Sequence, residues 1–395
     1  MTTGMTWAGP ATSVTALAPQ ELRHWRGLPA GQQPEWGDGW LLEQVVGDLA
    51  RLPGLVGWHD VHRLRERLRD VAQGRVRVVQ AGDCAEDPDH CRPAPLARKV
   101  AQIGAMAEVM EITSGRPVLR VGRIAGQFAK PRSAPTERVG GIDLPAYRGH
   151  LVNGPAADAA QRRPDPLRLL AGYDAARRAM AWLARVPGAE PSVWTSHEAL
   201  LLDYEVPLVR RDPEGRLILT STHWPWIGER TRDPDHAHVR LLAAIGNPVA
   251  CKVGPTVTPD QLLRLCAVLD PDRDPGRLTL VARMGADRIG SRLPALVRAV
   301  RRAGHPVIWL CDPMHGNTVA APDGSKTRLL STVLAEVDAF QNIVDTAAGL
   351  HLETTPEPVV ECVSAAHERP GPRTSLCDPR LNTEQALTLT ERWYR

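Results

Sequence analysis

Asp312 and His315 follow directly on the apolar run 306–310, with Gly316 and Asn317 behind them. A buried strand that empties into such a loop brings a carboxylate and an imidazole to where the side chains of an α/β protein converge on a ligand. Metal or phosphate chemistry is what these groups offer. Candidate metal donors recur along the chain: Cys84, His315, Glu353 and a carboxylate further on. A mixed sulfur, nitrogen and oxygen set suits a divalent transition ion better than Ca2+ or Mg2+. Spacing alone does not assemble these donors, because they follow separate apolar runs. A second population is cationic: Arg123, Lys130, Arg132, Arg230, Lys252, Arg283 and Lys326. Brought together, these groups demand an anionic ligand, because so much positive charge is costly to leave unpaired. Arg offers a planar fork to carboxylate or phosphate, and Lys a compact point charge. Of 48 basic residues only four are lysines, Lys99, Lys130, Lys252 and Lys326, so each is a candidate for a pocket and not for a solvated face.

The elements that must position these groups are short. From residue 76 onward, eight apolar runs alternate with helix-length segments: 76–80, 118–121, 192–195, 224–227, 248–253, 278–282, 306–310 and 349–352. This alternation is the signature of repeated βα units. Eight such units predict an α/β fold, a (β/α)8 barrel whose site lies at the C-terminal ends of the strands. Those ends carry Asp83 and Cys84, Arg123, His197 and Glu198, Glu229 and Arg230, Lys252, Arg283, Asp312 and His315, and Glu353. Residues 1–37 are rich in Pro, Gly and Gln and predict an extended arm, while Leu41–Leu49 and Val61–Val71 carry helical spacing. Residues 1–75 thus form an N-terminal arm and helices packed on a barrel spanning 76–395.

The composition bounds the remaining classes. With 43% hydrophobic and 24% charged residues an ordinary core forms, and a net charge of +3 gives no reason to expect a nucleic-acid partner. Seven cysteines without paired spacing fit a reducing compartment. No signal peptide pattern opens the chain and no run approaches a membrane span, so a cytoplasmic location away from membranes is expected.

The residues also carry a family resemblance. Gln80–Glu86, RIAGQFAKPRS from Arg123, Tyr147-Arg148-Gly149, SHEALLLDYE from Ser196, WIGERTR from Trp226, NPVACKVGP from Asn247, Arg283-Met284-Gly285, DPMHGNT from Asp312 and DPRLNT from Asp378 resemble, in this order, the type II DAHP synthases. The resemblance runs from residue 80 almost to the C-terminus. It implies a (β/α)8 transferase that condenses phosphoenolpyruvate with erythrose 4-phosphate, yielding 3-deoxy-D-arabino-heptulosonate 7-phosphate and phosphate at the head of the shikimate pathway. Carried over, it makes Cys84, His315, Glu353 and Asp378 the ligands of one divalent metal, Mn2+ or Co2+, with Zn2+ or Fe2+ as alternatives. It seats phosphoenolpyruvate among Arg123, Lys130, Glu229, Arg230, Lys252 and Arg283, and the sugar phosphate near Arg132, Ser133 and Lys326. Lys130 is then the expected proton donor and Glu229 the residue orienting water. A homodimer is expected.

Three departures from the family bear on function. His150 stands where relatives usually have Asp, which either alters a contact beside the site or is a neutral exchange at its rim. The segment between Leu183 and Ser196 is short where larger relatives carry helices linked to feedback by aromatic amino acids. This points to the compact, phenazine-type subgroup that serves secondary metabolism. Cys377 precedes the expected ligand Asp378, so a Cys84–Cys377 disulfide would abolish metal binding. Two alternatives stand beside the leading reading: an aminoDAHP synthase taking an imino sugar phosphate, and a non-catalytic regulatory barrel, which eroded ligands or cations would mark.

Overall fold

Inward-facing positions recur every second residue along a strand, and that period builds the whole interior of this protein. In the computed structural model, which describes residues 14–139, 141–185 and 191–394, eight parallel strands close a barrel in chain order, the last pairing with the first. They are β1 Arg77–Gly82, β2 Val118–Arg123, β3 Trp194–Glu198, β4 Trp224–Ile227, β5 Val249–Val253, β6 Leu278–Ala282, β7 Ile308–Cys311 and β8 Ala347–Glu353. Each expected run corresponds to one of these strands. The largest shift in a boundary is at β3, which continues through Ser196, His197 and Glu198 against Trp224, Pro225 and Trp226 of β4. Hydropathy ends the strand before these polar residues, whereas the ladder carries them on.

The lower part of the barrel is filled by an apolar cluster that includes Val78, Val121, Trp194, Trp224, Ala250, Val281 and Leu310. Two residues beyond Val121, Ala250, Val281 and Leu310, on the same face, come Arg123, Lys252, Arg283 and Asp312. The same alternation that packs the core therefore delivers charge to the strand ends.

Helices Pro93–Ser114, Leu167–Leu183, Ala237–Ala244, Pro259–Leu269, Ile289–Arg302 and Leu330–Ile343 make six of the seven connections between consecutive strands, and Thr383–Glu391 follows β8. The last of these packs on Pro93–Ser114, closing the outer ring. Between β3 and β4 a full helix is missing. A single turn, Leu202–Glu205, leads into a hairpin of Val209–Arg211 and Leu217–Leu219, which Thr15–Ala16 extends to three strands. Helix Gly39–Arg51 lies against this region, burying Leu42, Val45, Val46 and Leu49.

The first thirteen residues of the expected arm lie outside the described residues. The rest is not wholly extended: Pro19–Arg26 is a helix, with Pro at its first position and the Glu21 carboxylate accepting from the backbone N–H of Ala18. Helix Trp58–Ala72 has a different task. Leu64, Leu68 and Val71 join the apolar cluster inside the barrel, and the backbone of Arg65–Arg69 lies close against Gly276 at the entry to β6. This helix stoppers the barrel at the strand N-termini. Among the described residues, no helix is long and apolar enough to cross a membrane.

Candidate active site

At the opposite end, the strand C-termini surround a pocket of about 280 Å3. Its wall includes Cys84, Arg123, Lys130, Arg132, Ser133, Arg230, Lys252, Arg283, His315, Lys326, Glu353 and Asp378, residues drawn from strand ends and loops scattered over the chain. Glu229 is the exception among the expected site residues. Its carboxylate turns to Arg232 at 3.1 Å and lies against the backbone of Gly254, where an added Cβ would be 2.8 Å from Cδ. It is not part of the pocket lining. Glu198 lines the pocket instead. Gly228 leaves room for it, since a Cβ there would fall 2.8 Å from the Glu198 Cδ. One oxygen of Glu198 is buried without a hydrogen-bond partner, and burial raises its pKa despite the opposing pull of Lys252, His315 and Arg123.

Gln127, Trp226, Gly316, Thr318 and Arg328 also line the pocket and were not singled out as site residues from the sequence. Glu198, named above only among the polar groups at the strand ends, lies two positions beyond Ser196 and four beyond Trp194, on the inward face of β3. No comparable signal marked Arg328, which comes from a hairpin (Thr318–Ala320 with Lys326–Arg328) after β7.

Polar contacts beneath the pocket fix its floor. Arg123 donates to Nε2 of His351 at 3.0 Å, and Nδ1 of His351 meets Gln80 Oε1 at 2.7 Å. Because an arginine only donates, His351 is neutral with its proton on Nδ1. Burial, with Lys252 and Arg123 nearby, lowers its pKa well below the usual histidine range. Gln80 in turn donates to Ser196 Oγ at 2.7 Å. Trp226 covers this floor, with the guanidinium of Arg123 5.2 Å and the ammonium of Lys252 5.8 Å from its ring centroid.

The four candidate metal donors face the pocket in two pairs. Nε2 of His315 lies 3.3 Å from Glu353, and the Cys84 thiol lies 3.6 Å from Asp378. Glu353 is fully buried. Burial alone would raise its pKa, but His315, Arg328 and Arg123 hold it well below the usual carboxylate range. The Lys130 ammonium sits between the second pair, 2.7 Å from Cys84 Sγ and paired with Asp378. Among the described residues no three His, Cys, Asp or Glu side chains close on a common point. The donor chemistry nevertheless fits a divalent transition ion, with one thiol, one imidazole and two carboxylates on one wall. The place beside Cys84 and Asp378 already holds a positive charge, that of Lys130.

The sugar-phosphate candidates are partly tied down. Lys326 reaches Asp378 at 3.2 Å, and Arg132 is paired with Glu137. The N-terminal arm takes part as well. Gln32 accepts from the Arg132 amide at 2.8 Å through its side chain, and from the Arg148 guanidinium at 3.2 Å through its carbonyl. Asp83 does not face the pocket. It is buried between Lys99 and Arg380, which overcome burial and hold its pKa down at about 2.

A profile of the Class-II DAHP synthetase family matches residues 20–190 and 186–392. The chain belongs to that family. Curated relatives agree with the assignment. A probable phospho-2-dehydro-3-deoxyheptonate aldolase of Pseudomonas fluorescens is 51% identical over 375 residues, covering 92% of this chain and 94% of its own length. The Streptomyces coelicolor phospho-2-dehydro-3-deoxyheptonate aldolase is 39% identical, covering 94% and 96% of the two chains, and a Neurospora crassa relative of the same name is 35% identical. This class-II DAHP synthetase is therefore a transferase. A solved phospho-2-dehydro-3-deoxyheptonate aldolase from Francisella tularensis superposes with a TM-score of 0.56, covering 89% of this chain and 95% of its own. At 14% identity that likeness speaks for the fold alone.

Proposed function

We propose that this enzyme condenses phosphoenolpyruvate with erythrose 4-phosphate and water, releasing inorganic phosphate and 3-deoxy-D-arabino-heptulosonate 7-phosphate. The observation that carries the reading is the convergence of twelve of the thirteen residues expected for that chemistry on one strongly cationic pocket. Arg123, Lys252, Arg283 and Arg230 provide the positive charge that a phosphate and a carboxylate on one small substrate require. Arg132 and Lys326, at the rim, provide it for the sugar phosphate, and Ser133 beside them offers a hydroxyl donor.

Cys84, His315, Glu353 and Asp378 would hold one divalent metal, Mn2+ or Co2+ with Zn2+ or Fe2+ as alternatives, and when bound it supplies Lewis acidity at the aldehyde oxygen. The remaining work belongs to the chain's own groups. The basic pocket orients both substrates so that C3 of the enol faces the aldehyde carbon. As C3 attacks, positive charge develops at C2. Water adds there, and the resulting hemiketal phosphate loses phosphate. Lys130 donates a proton to the former aldehyde oxygen, which becomes the new hydroxyl. Glu198, a carboxylate of the pocket wall with a raised pKa, orients the water and accepts its proton, the role first given to Glu229.

The short link between helix Leu167–Leu183 and β3 supports a dedicated role in secondary metabolism; its residues 186–190 lie outside the described residues. Insensitivity to phenylalanine, tyrosine and tryptophan at sub-millimolar concentration is the expected behaviour, and inhibition by any of them would count against that role. His150 is not part of the pocket lining. It packs edge-on against Tyr147, with ring centroids 5.8 Å apart, so no observation favours an imino substrate.

The deciding experiment measures phosphate release from the two substrates, before and after chelation and with Mn2+ or Co2+ restored. Turnover that disappears with chelator and returns with metal supports the proposal. No turnover in metal-loaded protein would overturn it. Lys130→Met with near-normal turnover and intact metal content would remove the proton donor from the scheme.

A further inference from the structure

His197 lies at the end of β3 but takes no part in the pocket. It is fully buried, and its Nε2 is held 2.9 Å from Glu205, whose other oxygen accepts from Ser221 at 2.6 Å. A carboxylate that is itself fixed therefore sets the rotation of the ring. The opposite ring nitrogen, Nδ1, is buried and has no hydrogen-bond partner. What it faces is the backbone of Gly126. A Cβ added to Gly126 would run into Nδ1 and lie 2.6 Å from Cε1 and 2.9 Å from Cγ of the imidazole. Real Cβ atoms do not approach other atoms that closely, so only the second α-hydrogen of a glycine fits against this ring.

Gly126 belongs to the loop that leads from β2 to Lys130, Arg132 and Ser133. The loop is strained and braced on both sides. Ala125, before the glycine, has φ of 64°, in a region a residue with a side chain rarely adopts. On one side, Glu86 accepts from the Gly126 amide at 3.2 Å and donates its own amide to the Gln127 carbonyl at 2.7 Å. On the other side stands the imidazole. Gln127 then links the loop to the pocket wall, accepting from the Glu198 amide at 3.0 Å. The three atoms nearest a Cβ at Gly126 all belong to this imidazole.

We propose that His197 is a positioning residue. Clamped by Glu205, its imidazole is the wall against which Gly126 rests, and it sets how far Lys130 and the sugar-phosphate residues Arg132 and Ser133 stand from the reacting carbons. The inference rests on the role given above to this loop, and it concerns the loop's position, not the identity of the proton donor. Arg123 and Lys252 are carried by strands β2 and β5, and Arg283 is the residue after β6, so they do not ride on the loop. Of the residues expected to seat phosphoenolpyruvate only Lys130 does, so disturbing the contact should weaken phosphoenolpyruvate far less than it misplaces the sugar phosphate.

The test is a double-mutant cycle on the metal-loaded enzyme with Gly126→Ala, His197→Ala and the pair, following kcat, the KM for erythrose 4-phosphate and the equilibrium affinity for phosphoenolpyruvate. Gly126→Ala should lower kcat by about 100-fold, the size expected of a displacement near 1 Å, and raise the sugar-phosphate KM. Its phosphoenolpyruvate affinity should fall far less than kcat, since Lys130 alone of the residues expected to seat that substrate rides on the loop. Adding His197→Ala to Gly126→Ala should restore kcat by about tenfold, because removing the ring gives the new methyl room. If His197→Ala does not fold, Glu205→Gln serves as the second variant, since it loosens the ring without removing it and should give a partial rescue. The proposal is overturned if Gly126→Ala behaves as wild type, if it loses phosphoenolpyruvate affinity in proportion to kcat, or if neither second change improves on it. An inactive Lys130→Met would not bear on this outcome, and an active one would remove the proton donor while leaving the coupling between positions 126 and 197 to be read.

Discussion

Asp312 holds His315 by its Nδ1 edge, at 2.8 Å, and so leaves Nε2 as the nitrogen that faces Glu353 and the pocket. The carboxylate is buried, which would raise its pKa. His315 and Lys252 outweigh burial and hold it well below the usual range, so Asp312 is a permanent anion behind the imidazole. A ligating histidine oriented in this way has a fixed tautomer and a more basic free nitrogen.

From this relationship follows the first prediction. Asp312→Asn should weaken divalent-metal binding by about 10–100-fold while leaving all four proposed ligands in place. Competition of the purified protein with a chromophoric chelator for Co2+ would measure it. Unchanged affinity would mean that His315 is oriented by something other than Asp312, or is not a ligand.

The two strand-end glutamates make opposite forecasts. Each keeps one buried oxygen without a partner, but Glu198 borders the pocket, whereas Glu229 lies outside its lining and is engaged by Arg232 through its other oxygen. Glu198→Gln should lower kcat by about 100-fold, the scale of a lost general base. Glu229→Gln should cost far less. Steady-state kinetics of both variants decide between them, and the reverse ranking would return the water-orienting role to Glu229.

A third prediction concerns the thiols. All seven cysteines are free, and Cys377 shares a hydrogen bond with Cys84 that, with help from Lys130 and against the opposing effect of burial, brings its pKa down to about 7. Mild peroxide should therefore join Cys84 to Cys377 and release bound metal, with thioredoxin-type reductants restoring both. Thiol titration and metal content, before and after peroxide, provide the readout, and Cys377→Ser should be resistant. Equal metal loss in Cys377→Ser would exclude the disulfide.

Stability should also carry a pH signature from Glu336. This carboxylate accepts at 2.9 Å from the amides of both Met284 and Gly285 and binds Asn317, so it ties the loop after β6 to the loop of His315. Burial outweighs these donors and, with Asp312 adding to it, pushes its pKa up to about 7. The folded state then keeps a proton that the unfolded chain gives up near the ordinary value of 4.5. This group's contribution to stability is therefore greatest below pH 4.5, declines as pH rises to about 7, and is level above that. Thermal midpoints of wild type and Glu336→Gln across this range should differ in slope. Parallel curves would assign the titration elsewhere.

Much of this arrangement was legible in the residues themselves. Eight apolar runs were enough to reveal the barrel, because parallel strands buried on both faces read as continuous hydrophobic stretches. Their C-terminal neighbours then named most of the pocket. What escaped has physical causes. Glu229 and Glu198 both follow barrel runs, and only the packing against Gly254 and Gly228 decides which carboxylate turns inward. Arg328 reaches Glu353 from a hairpin between β7 and the following helix, where no periodicity points to the barrel axis. The hairpin that replaces a helix between β3 and β4 is likewise invisible to a count of units. Helix Pro19–Arg26 was missed because it buries no residue, so no apolar stripe betrays it.

Helix Trp58–Ala72 covers a barrel end that side chains already fill, so the pocket is a cup that opens at the strand C-termini. Traffic through a single doorway has an order. If phosphoenolpyruvate sits on the Trp226 floor and the sugar phosphate at the rim by Arg132 and Lys326, as proposed above, the first must enter before the second. Kinetics in which the deeper substrate always binds first would then be written into the end of the barrel where no substrate binds.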